Sequence, residues 1–191
     1  RMMASPLLSA FDVSGEPEAV RSAYGDSDFG RGCLVARRLV EARVPVVEVS
    51  LDGWDTHRDN FGRTRSLMRQ LDPDFAALVR DIEARELLAE TLVVCMGEFG
   101  RTPRINGQDG RDHHPKAWSA VLAGGGIRPG IAYGATDERG DAVVDKPVAL
   151  PNLMATVAWQ LGISPAFARM APGGRPIAVT DTGSVVRDLL A

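Results

Sequence analysis

Thr91-Leu92-Val93-Val94-Cys95-Met96 is an apolar run that leads directly into Gly97-Glu98-Phe99-Gly100-Arg101-Thr102-Pro103. A run of this length predicts a short β-strand, and apolar residues at successive positions are typical of a strand covered on both faces. Loops that follow strands in a parallel α/β sheet gather in the ligand crevice. Glu98 is therefore a candidate site residue, although a helix cap is an equally reasonable interpretation.

The segments around this run alternate between helix and strand patterns. Helices are predicted over residues 29–43 and 151–161, and strands over residues 46–51 and 119–123. An apolar stripe from Leu67 to Ile82 predicts a further helix, which Asp72-Pro73 either kinks or divides in two. Strands separated by helices predict the α/β class, with a mostly parallel sheet and a single domain over residues 1–191.

The composition excludes several classes of function. The net charge is only −3, and the 22 basic residues are scattered, so the chain lacks the basic patch of a nucleic-acid-binding protein. The apolar runs are far shorter than the roughly 20 residues of a membrane span, so no membrane insertion is predicted. Cys33 and Cys95 lie in apolar surroundings and are predicted to be buried free thiols.

All three histidines lie in two short acidic motifs, Asp52-Gly53-Trp54-Asp55-Thr56-His57 and Gly110-Arg111-Asp112-His113-His114-Pro115. Each motif alone also fits an ordinary loop, with a capping aspartate or with surface histidines. Together they favour a divalent-metal site, because carboxylates and imidazoles are the usual oxygen and nitrogen ligands. The predicted ligands are Asp55, His57, Glu98, Asp112 and His113.

Other catalytic designs fit the sequence less well. The Gly-x-Ser-x-Gly motif of a nucleophile elbow is absent, and so are the cysteine pairs of a structural zinc site. Arg101, Arg111 and Lys116 flank the acidic motifs and are predicted contacts for an anionic substrate. The alternative is that these three side chains are solvated loop residues.

The motifs taken together resemble one bacterial family. The matching blocks are Gly53-Trp54-Asp55-Thr56-His57, Leu92 through Pro103, Gly110-Arg111-Asp112-His113 and Leu122-Ala123-Gly124-Gly125-Gly126-Ile127. The chain closely resembles the domain-of-unknown-function 1501 family over nearly its whole length. Members of that family look like relatives of the alkaline phosphatase and sulfatase superfamily.

The resemblance implies an alkaline-phosphatase-like α/β/α sandwich whose metal ligands follow the strands. Asp55 and His57 look like the first ligand pair, Glu98 stands in the place of the second pair's Asp, and His113 looks like the final ligand. Phe99 occupies the place of a usual ligand histidine. The resemblance therefore implies a single metal, or a site completed by Asp112 or His114.

The resemblance also implies that part of the protein is missing. The superfamily's nucleophile and another metal-binding Asp come from an N-terminal half, so this chain is expected to be the C-terminal portion and to lack the catalytic nucleophile. The opening Arg1-Met2-Met3 likewise suggests a fragment. A periplasmic or exported location is implied by the family alone.

Two functions are consistent with these observations. The first is a metal-dependent hydrolase of phosphate or sulfate esters, acting on a small-molecule or polymer substrate with zinc, calcium, magnesium or manganese. The second is a noncatalytic, exported binding or scaffolding domain of the cell envelope with a degenerate metal site. The 191-residue chain alone is expected to show no appreciable ester hydrolysis, because Thr56 and Ser119 are the nearby hydroxyls and neither has an obvious activating base.

Overall fold

The computed structural model describes residues 6–191. The opening residues used as a sign of a fragment, Arg1 to Ser5, lie outside the described part. The chain divides into two compact units. The first contains the described residues up to Thr91 together with Arg104–Asp112, and the second contains Leu92–Pro103 and His113–Ala191. The prediction that the chain is one domain, forming the C-terminal part of a larger one, stays a prediction.

The first unit is helical. Its α-helices are α1 (Glu18–Ala23), α2 (Asp28–Glu41) and α3 (Asn60–Ala84), and short 3-10 helices span Pro6–Phe11 and Leu88–Glu90. Ser27 caps α2, because its hydroxyl accepts a hydrogen bond from Gly30 N. The same hydroxyl donates to the buried Asp74 carboxylate of α3 at 2.6 Å, which fastens the start of α2 to α3.

Helices α2 and α3 contribute most of the apolar core of the first unit. The buried apolar residues on these two helices are Phe29, Cys33, Leu34, Ala36, Ala77, Leu78 and Ile82. Predicted helix 29–43 is confirmed as Asp28–Glu41. The long stripe forms one continuous helix with Pro73 inside it, so the interpretation as two consecutive helices is wrong.

The second unit contains one α-helix and eight short strands among its described residues. The strands are β1 (Val93–Cys95), β2 (Gly100–Arg101), β3 (His113–His114), β4 (Val121–Ala123), β5 (Ala135–Thr136), β6 (Val143–Asp145), β7 (Ala168–Met170) and β8 (Pro176–Ala178). They form four separate two-stranded sheets, β1–β4, β2–β3, β5–β6 and β7–β8, each antiparallel. Helix α4 (Leu150–Gln160) confirms the predicted helix 151–161, and it buries Leu153, Ala155, Thr156 and Ala158.

The prediction of a mostly parallel sheet in an alkaline-phosphatase-like α/β/α sandwich is wrong. Two of the three predicted strands exist, but Val93 lies opposite Ala123 and Cys95 lies opposite Val121 in an antiparallel pair. Residues 46–51 form no strand. Apolar and β-branched residues report a preference for extended, buried backbone, whereas the direction and presence of a neighbouring strand depend on contacts remote in sequence.

Two further features of the described residues concern the length of the helices and the cysteine thiols. No helix in the described part of the chain is both long enough and apolar enough to cross a membrane. Cys33 and Cys95 are free thiols; Cys33 is buried and Cys95 is half-buried. Burial raises the pKa of the Cys95 thiol, which disfavours its reactive thiolate form.

Candidate functional site

The loop that carries Asp55 and His57 is held by the start of α3. Asp59 caps this helix, since its carboxylate accepts a hydrogen bond from Gly62 N at 3.2 Å. Arg63, in the first turn, donates to the carbonyl oxygens of Asp55 and Gly53, each at 3.1 Å. The backbone on the N-terminal side of His57 is therefore fixed by one guanidinium group.

Thr56 anchors the loop from the inside. Its side chain is buried, with 1% exposure, and its hydroxyl accepts a 2.6 Å hydrogen bond from the Asn60 side-chain amide. Its carbonyl oxygen accepts a hydrogen bond from Arg111 N at 3.0 Å. A hydroxyl that is buried and already bonded in this way is poorly placed to attack a substrate.

A second loop of the first unit, Arg104–Asp112, lies against the first. Asn60 N donates to Asp109 O at 2.8 Å, and Asp59 N donates to Gln108 O at 3.2 Å. Gly110 makes the closest approach, since a Cβ atom at this position would overlap the carbonyl group of His57. The absence of a side chain at residue 110 thus lets the two loops meet.

The two loops place a carboxylate at each nitrogen of the His57 ring. Nδ1 lies 2.8 Å from Asp112 Oδ1, and Nε2 lies 3.2 Å from Asp55 Oδ1. The His57 side chain is 43% exposed, so a solvent ligand can reach the ring. A carboxylate on Nδ1 favours the tautomer with its proton on that nitrogen, which leaves the lone pair on Nε2, the nitrogen that faces Asp55.

An open cleft adjoins this histidine. It has a volume of about 480 Å³ and is lined by His57, Asn106, Gly107, Gln108 and Asp112. No serine, threonine or cysteine is among these lining residues. Arg58 follows His57 in the sequence, and its exposed guanidinium donates from Nε to Gln108 Oε1 at 2.6 Å. Gln108, which lines the cleft, therefore holds this guanidinium group in place.

Three residues of the site were not predicted from the sequence, namely Arg58, Asn106 and Gln108. A signal was present in Asn106-Gly107-Gln108-Asp109-Gly110, because Asn-Gly and Asp-Gly pairs mark tight turns in which Asn side chains bond to nearby backbone. Asn106 Oδ1 accepts from Gln108 N and Gly110 N, as in such a turn. The proximity of this turn to His57 depends on tertiary structure.

The predicted anion contacts are divided between the two units. Arg111 lies in the first unit, where its Nε donates to Asn60 Oδ1 at 3.2 Å and its guanidinium lies 5.7 Å from the centre of the Phe61 ring. Arg101 and Lys116 lie in the second unit. The predicted role of these three side chains in anion binding stays a prediction.

The remaining predicted ligands, Glu98 and His113, also belong to the second unit. Glu98 lies 3.3 Å from the Arg101 guanidinium, and the rings of Phe99 and His113 have centroids 4.4 Å apart. His113 pairs with Arg101 in the β2–β3 ladder. Phe99, which stands where the resemblance implies a ligand histidine, therefore packs against the histidine that was predicted to be the final ligand.

Among the described residues, Asp55, His57 and His113 each offer an atom that could bind a divalent metal. Asp55 and His57 belong to the first unit. His113 belongs to the second unit, as the first residue of its segment His113–Ala191. Possible ligands for a divalent metal are therefore present, and the binding of an ion by them stays a prediction. The identity of the ion stays a prediction.

Comparison with known proteins gives a family for this chain. No curated protein and no solved structure matches it significantly. The family described as "Protein of unknown function (DUF1501)" matches residues 1–190. The match carries no link to the alkaline phosphatase and sulfatase superfamily and no activity. It covers all but one residue, and the chain therefore belongs to the DUF1501 family.

Proposed function

We propose that this protein binds a divalent metal ion through Asp55 and His57 and uses it in the hydrolysis of phosphate or sulfate esters. One observation carries the proposal, namely the His57 ring with Asp112 at Nδ1 and Asp55 beside Nε2. A metal-binding histidine commonly donates its other ring N–H to a carboxylate, which fixes the tautomer and the orientation of the ring. In this proposal Asp112 orients His57 and is not itself a ligand.

The distance between the two donors fits a shared ion. Two ligands with bonds of about 2.0–2.2 Å at a tetrahedral centre lie about 3.4 Å apart. Asp55 Oδ1 and His57 Nε2 are 3.2 Å apart. Mixed oxygen and imidazole ligands suit zinc better than calcium, magnesium or manganese, which prefer oxygen ligands. That His113 is a further ligand stays a prediction from the sequence.

A divalent ion held there would polarise an ester oxygen and lower the pKa of a bound water. The cleft beside His57 would admit the substrate. Arg58, held by Gln108, would form an ion pair with the phosphate or sulfate group. Because no hydroxyl or thiol side chain lines the cleft, we expect metal and anion binding without rapid turnover from the 191-residue chain.

A noncatalytic binding or scaffolding domain is the second candidate. The observation that favours it is again the cleft, which lacks a nucleophilic side chain among its lining residues. In that case the contacts of His57 with Asp55 and Asp112 would join the two loops without a metal. An exported location is part of both proposals and rests on the resemblance alone.

Metal binding can be tested by titrating the metal-free protein with zinc or manganese in a calorimeter. We expect stoichiometric binding that Asp55→Asn and His57→Gln abolish. His114→Gln is the matched control, because this imidazole contacts the Asp141 carbonyl oxygen at 2.9 Å within the second unit. Equal binding by wild type and by His57→Gln would refute the metal site.

Ester chemistry can be tested with phosphate, sulfate and their aryl esters. We expect inorganic phosphate or sulfate to bind the metal-loaded protein and to bind Arg58→Ala more weakly by about tenfold, as loss of one charge-assisted contact implies. Metal-loaded protein that binds neither anion would support the scaffold. Robust turnover of an aryl ester, abolished by Thr56→Ala or Ser119→Ala, would show that the chain carries its own nucleophile.

A further inference from the structure

The Asn106 side chain connects His57 with Asp112. Its side-chain Nδ2 donates to the His57 carbonyl oxygen and to Asp112 Oδ1, each at 3.1 Å. Asp112 Oδ1 is the same oxygen that lies 2.8 Å from His57 Nδ1. A single carboxylate oxygen is therefore shared by the Asn106 amide and the His57 ring.

The hydrogen bonds on the other side of the amide fix its orientation. Asn106 Oδ1 accepts from Gln108 N at 2.9 Å and from Gly110 N at 3.0 Å. An amide nitrogen cannot accept these two bonds, so the NH₂ group must face His57 and Asp112. The turn that follows Asn106 thus determines the direction in which its donor points.

We propose that Asn106 is the positioning residue of this site. By holding Asp112 Oδ1 against His57 Nδ1, Asn106 keeps the ring proton on Nδ1 and leaves Nε2 free to bind an ion beside Asp55. Asn106 does not itself touch the ion or the substrate. The effect of Asn106 on metal affinity rests on the proposed function. The contacts that link Asn106 through Asp112 to the His57 ring exist in the metal-free protein as well.

The chemistry of the two neighbours makes the effect of Asn106 measurable. An uncharged donor attracts the Asp112 carboxylate, while an aspartate at residue 106 would repel it. Partners that orient a metal-binding histidine typically contribute about 10- to 100-fold to metal affinity. We expect a loss of that size when the Asn106 donor is removed.

The variant that tests the proposal is Asn106→Asp. It keeps an oxygen for the Gln108 and Gly110 N–H groups, so the turn is preserved, but it replaces the donor that faces Asp112. Zinc affinity should fall about 10- to 100-fold. The double variant Asn106→Asp/Asp112→Ala should bind zinc no more weakly than Asp112→Ala alone, because Asn106 acts through Asp112.

Asp109→Asn is the matched control. Asp109 lies in the same turn, its side chain is exposed, and its left-handed backbone conformation, with φ 55°, suits asparagine. Asp109→Asn should leave zinc affinity within about threefold of wild type, because a single exposed charge contributes little. An equal loss in Asp109→Asn and Asn106→Asp would overturn the positioning role, because it would indicate general disturbance of the loop.

A spectroscopic measurement separates this inference from the metal proposal. Nitrogen NMR of the metal-free protein reports which His57 ring nitrogen carries the proton. Wild type and Asp109→Asn should show the Nδ1–H form, and Asn106→Asp should shift the ring towards the Nε2–H form. If no metal binds, the proposed function fails, and this shift still decides the role of Asn106. Identical His57 spectra in wild type and Asn106→Asp would overturn it.

Discussion

At the scale of single residues, the site depends on a backbone contact as much as on charged side chains. Gly110 lies so close to His57 that a Cβ atom would overlap the His57 carbonyl and the Arg58 nitrogen. These are backbone atoms, which cannot turn aside as the end of a side chain can. Gly110→Ala must therefore move one of the two loops that bring Asp112 to His57.

We expect Gly110→Ala to weaken zinc binding by at least tenfold and to lower the stability of the protein by about 1–3 kcal/mol, the usual range for overpacking. Gly107→Ala is the control in the same turn, because a Cβ atom there meets no atom within 4 Å. Calorimetric titration and thermal unfolding of both variants would check the prediction. It fails if the two variants bind zinc equally well.

The same residues show how far the sequence could predict the site. Asp55, His57 and Asp112 were predicted because acidic residues beside rare histidines suggest metal chemistry. Asn106 and Gly110 were not, because an asparagine or glycine in a turn has the same local pattern whether or not a histidine lies beside it. Their importance comes from the contact between two loops about 50 positions apart, which periodicity does not report.

At the scale of elements, α3 is the clearest departure from local expectation. Proline lacks the N–H that would bond to the carbonyl four residues earlier, yet Pro73 lies within the continuous helix Asn60–Ala84. Pro73 is exposed, whereas the next residues, including Asp74, Ala77 and Leu78, are buried. Burial of the C-terminal half offsets the missing hydrogen bond, so tertiary packing prevails over the local signal.

Pro73→Ala should therefore stabilise the protein. Restoring the helix interior gains up to about 3 kcal/mol, while the unfolded chain regains entropy worth about 0.4–1 kcal/mol, so we expect a net gain of about 2 kcal/mol. Pro151→Ala is the control, because Pro151 occupies the first turn of α4, where proline costs no helix hydrogen bond. Denaturant unfolding should show stabilisation for Pro73→Ala alone, and destabilisation of that variant would contradict the argument.

The local sequence predicted the helices well but did not predict the direction of the strands. Helices α2 and α4 were predicted to within two residues at each end, because a stripe of apolar side chains at helical spacing is a local property. Strand direction was predicted wrongly. The runs at Val93–Cys95 and Val121–Ala123 are strands, but the antiparallel pairing between them is set by the path of the intervening chain.

At the scale of the whole molecule, stability depends in part on a buried ionic network in the first unit. Arg37 is 1% exposed and lies 2.6 Å from both Glu16 and Glu41. Its Nε is 2.9 Å from Asp81 Oδ2, although the N–H is not aligned for a hydrogen bond. Tyr24 donates to the same Asp81 carboxylate at 3.0 Å. Such a network is costly to break, because removing one partner leaves a buried charge without compensation.

Glu16 gives this network a dependence on pH. The hydrogen bond from Arg37 lowers the pKa of Glu16, burial opposes the shift, and a hydrogen bond from Arg38 adds to the lowering. Because the pKa is lower in the folded protein, the unfolded chain binds more protons as the solution is acidified. The contribution of Glu16 to stability is thus complete well above its ordinary pKa of 4.5 and is lost as the pH falls through the lowered folded value.

Glu16→Gln should consequently destabilise the protein at neutral pH by about 2–3 kcal/mol, somewhat less than the roughly 3–5 kcal/mol for breaking a buried pair, because Arg37 retains Glu41 and Asp81. The difference from wild type should shrink as the pH falls below 4.5 and should vanish once it passes the lowered pKa of Glu16 in the folded protein, because both states are then protonated. Glu18→Gln is the control, since the Glu18 side chain is exposed and takes no part in the Arg37 network. Urea unfolding of the three proteins from pH 7 to pH 3 would measure this. A Glu16→Gln deficit that stayed constant over the whole range would show that Glu16 acts by packing and not by charge.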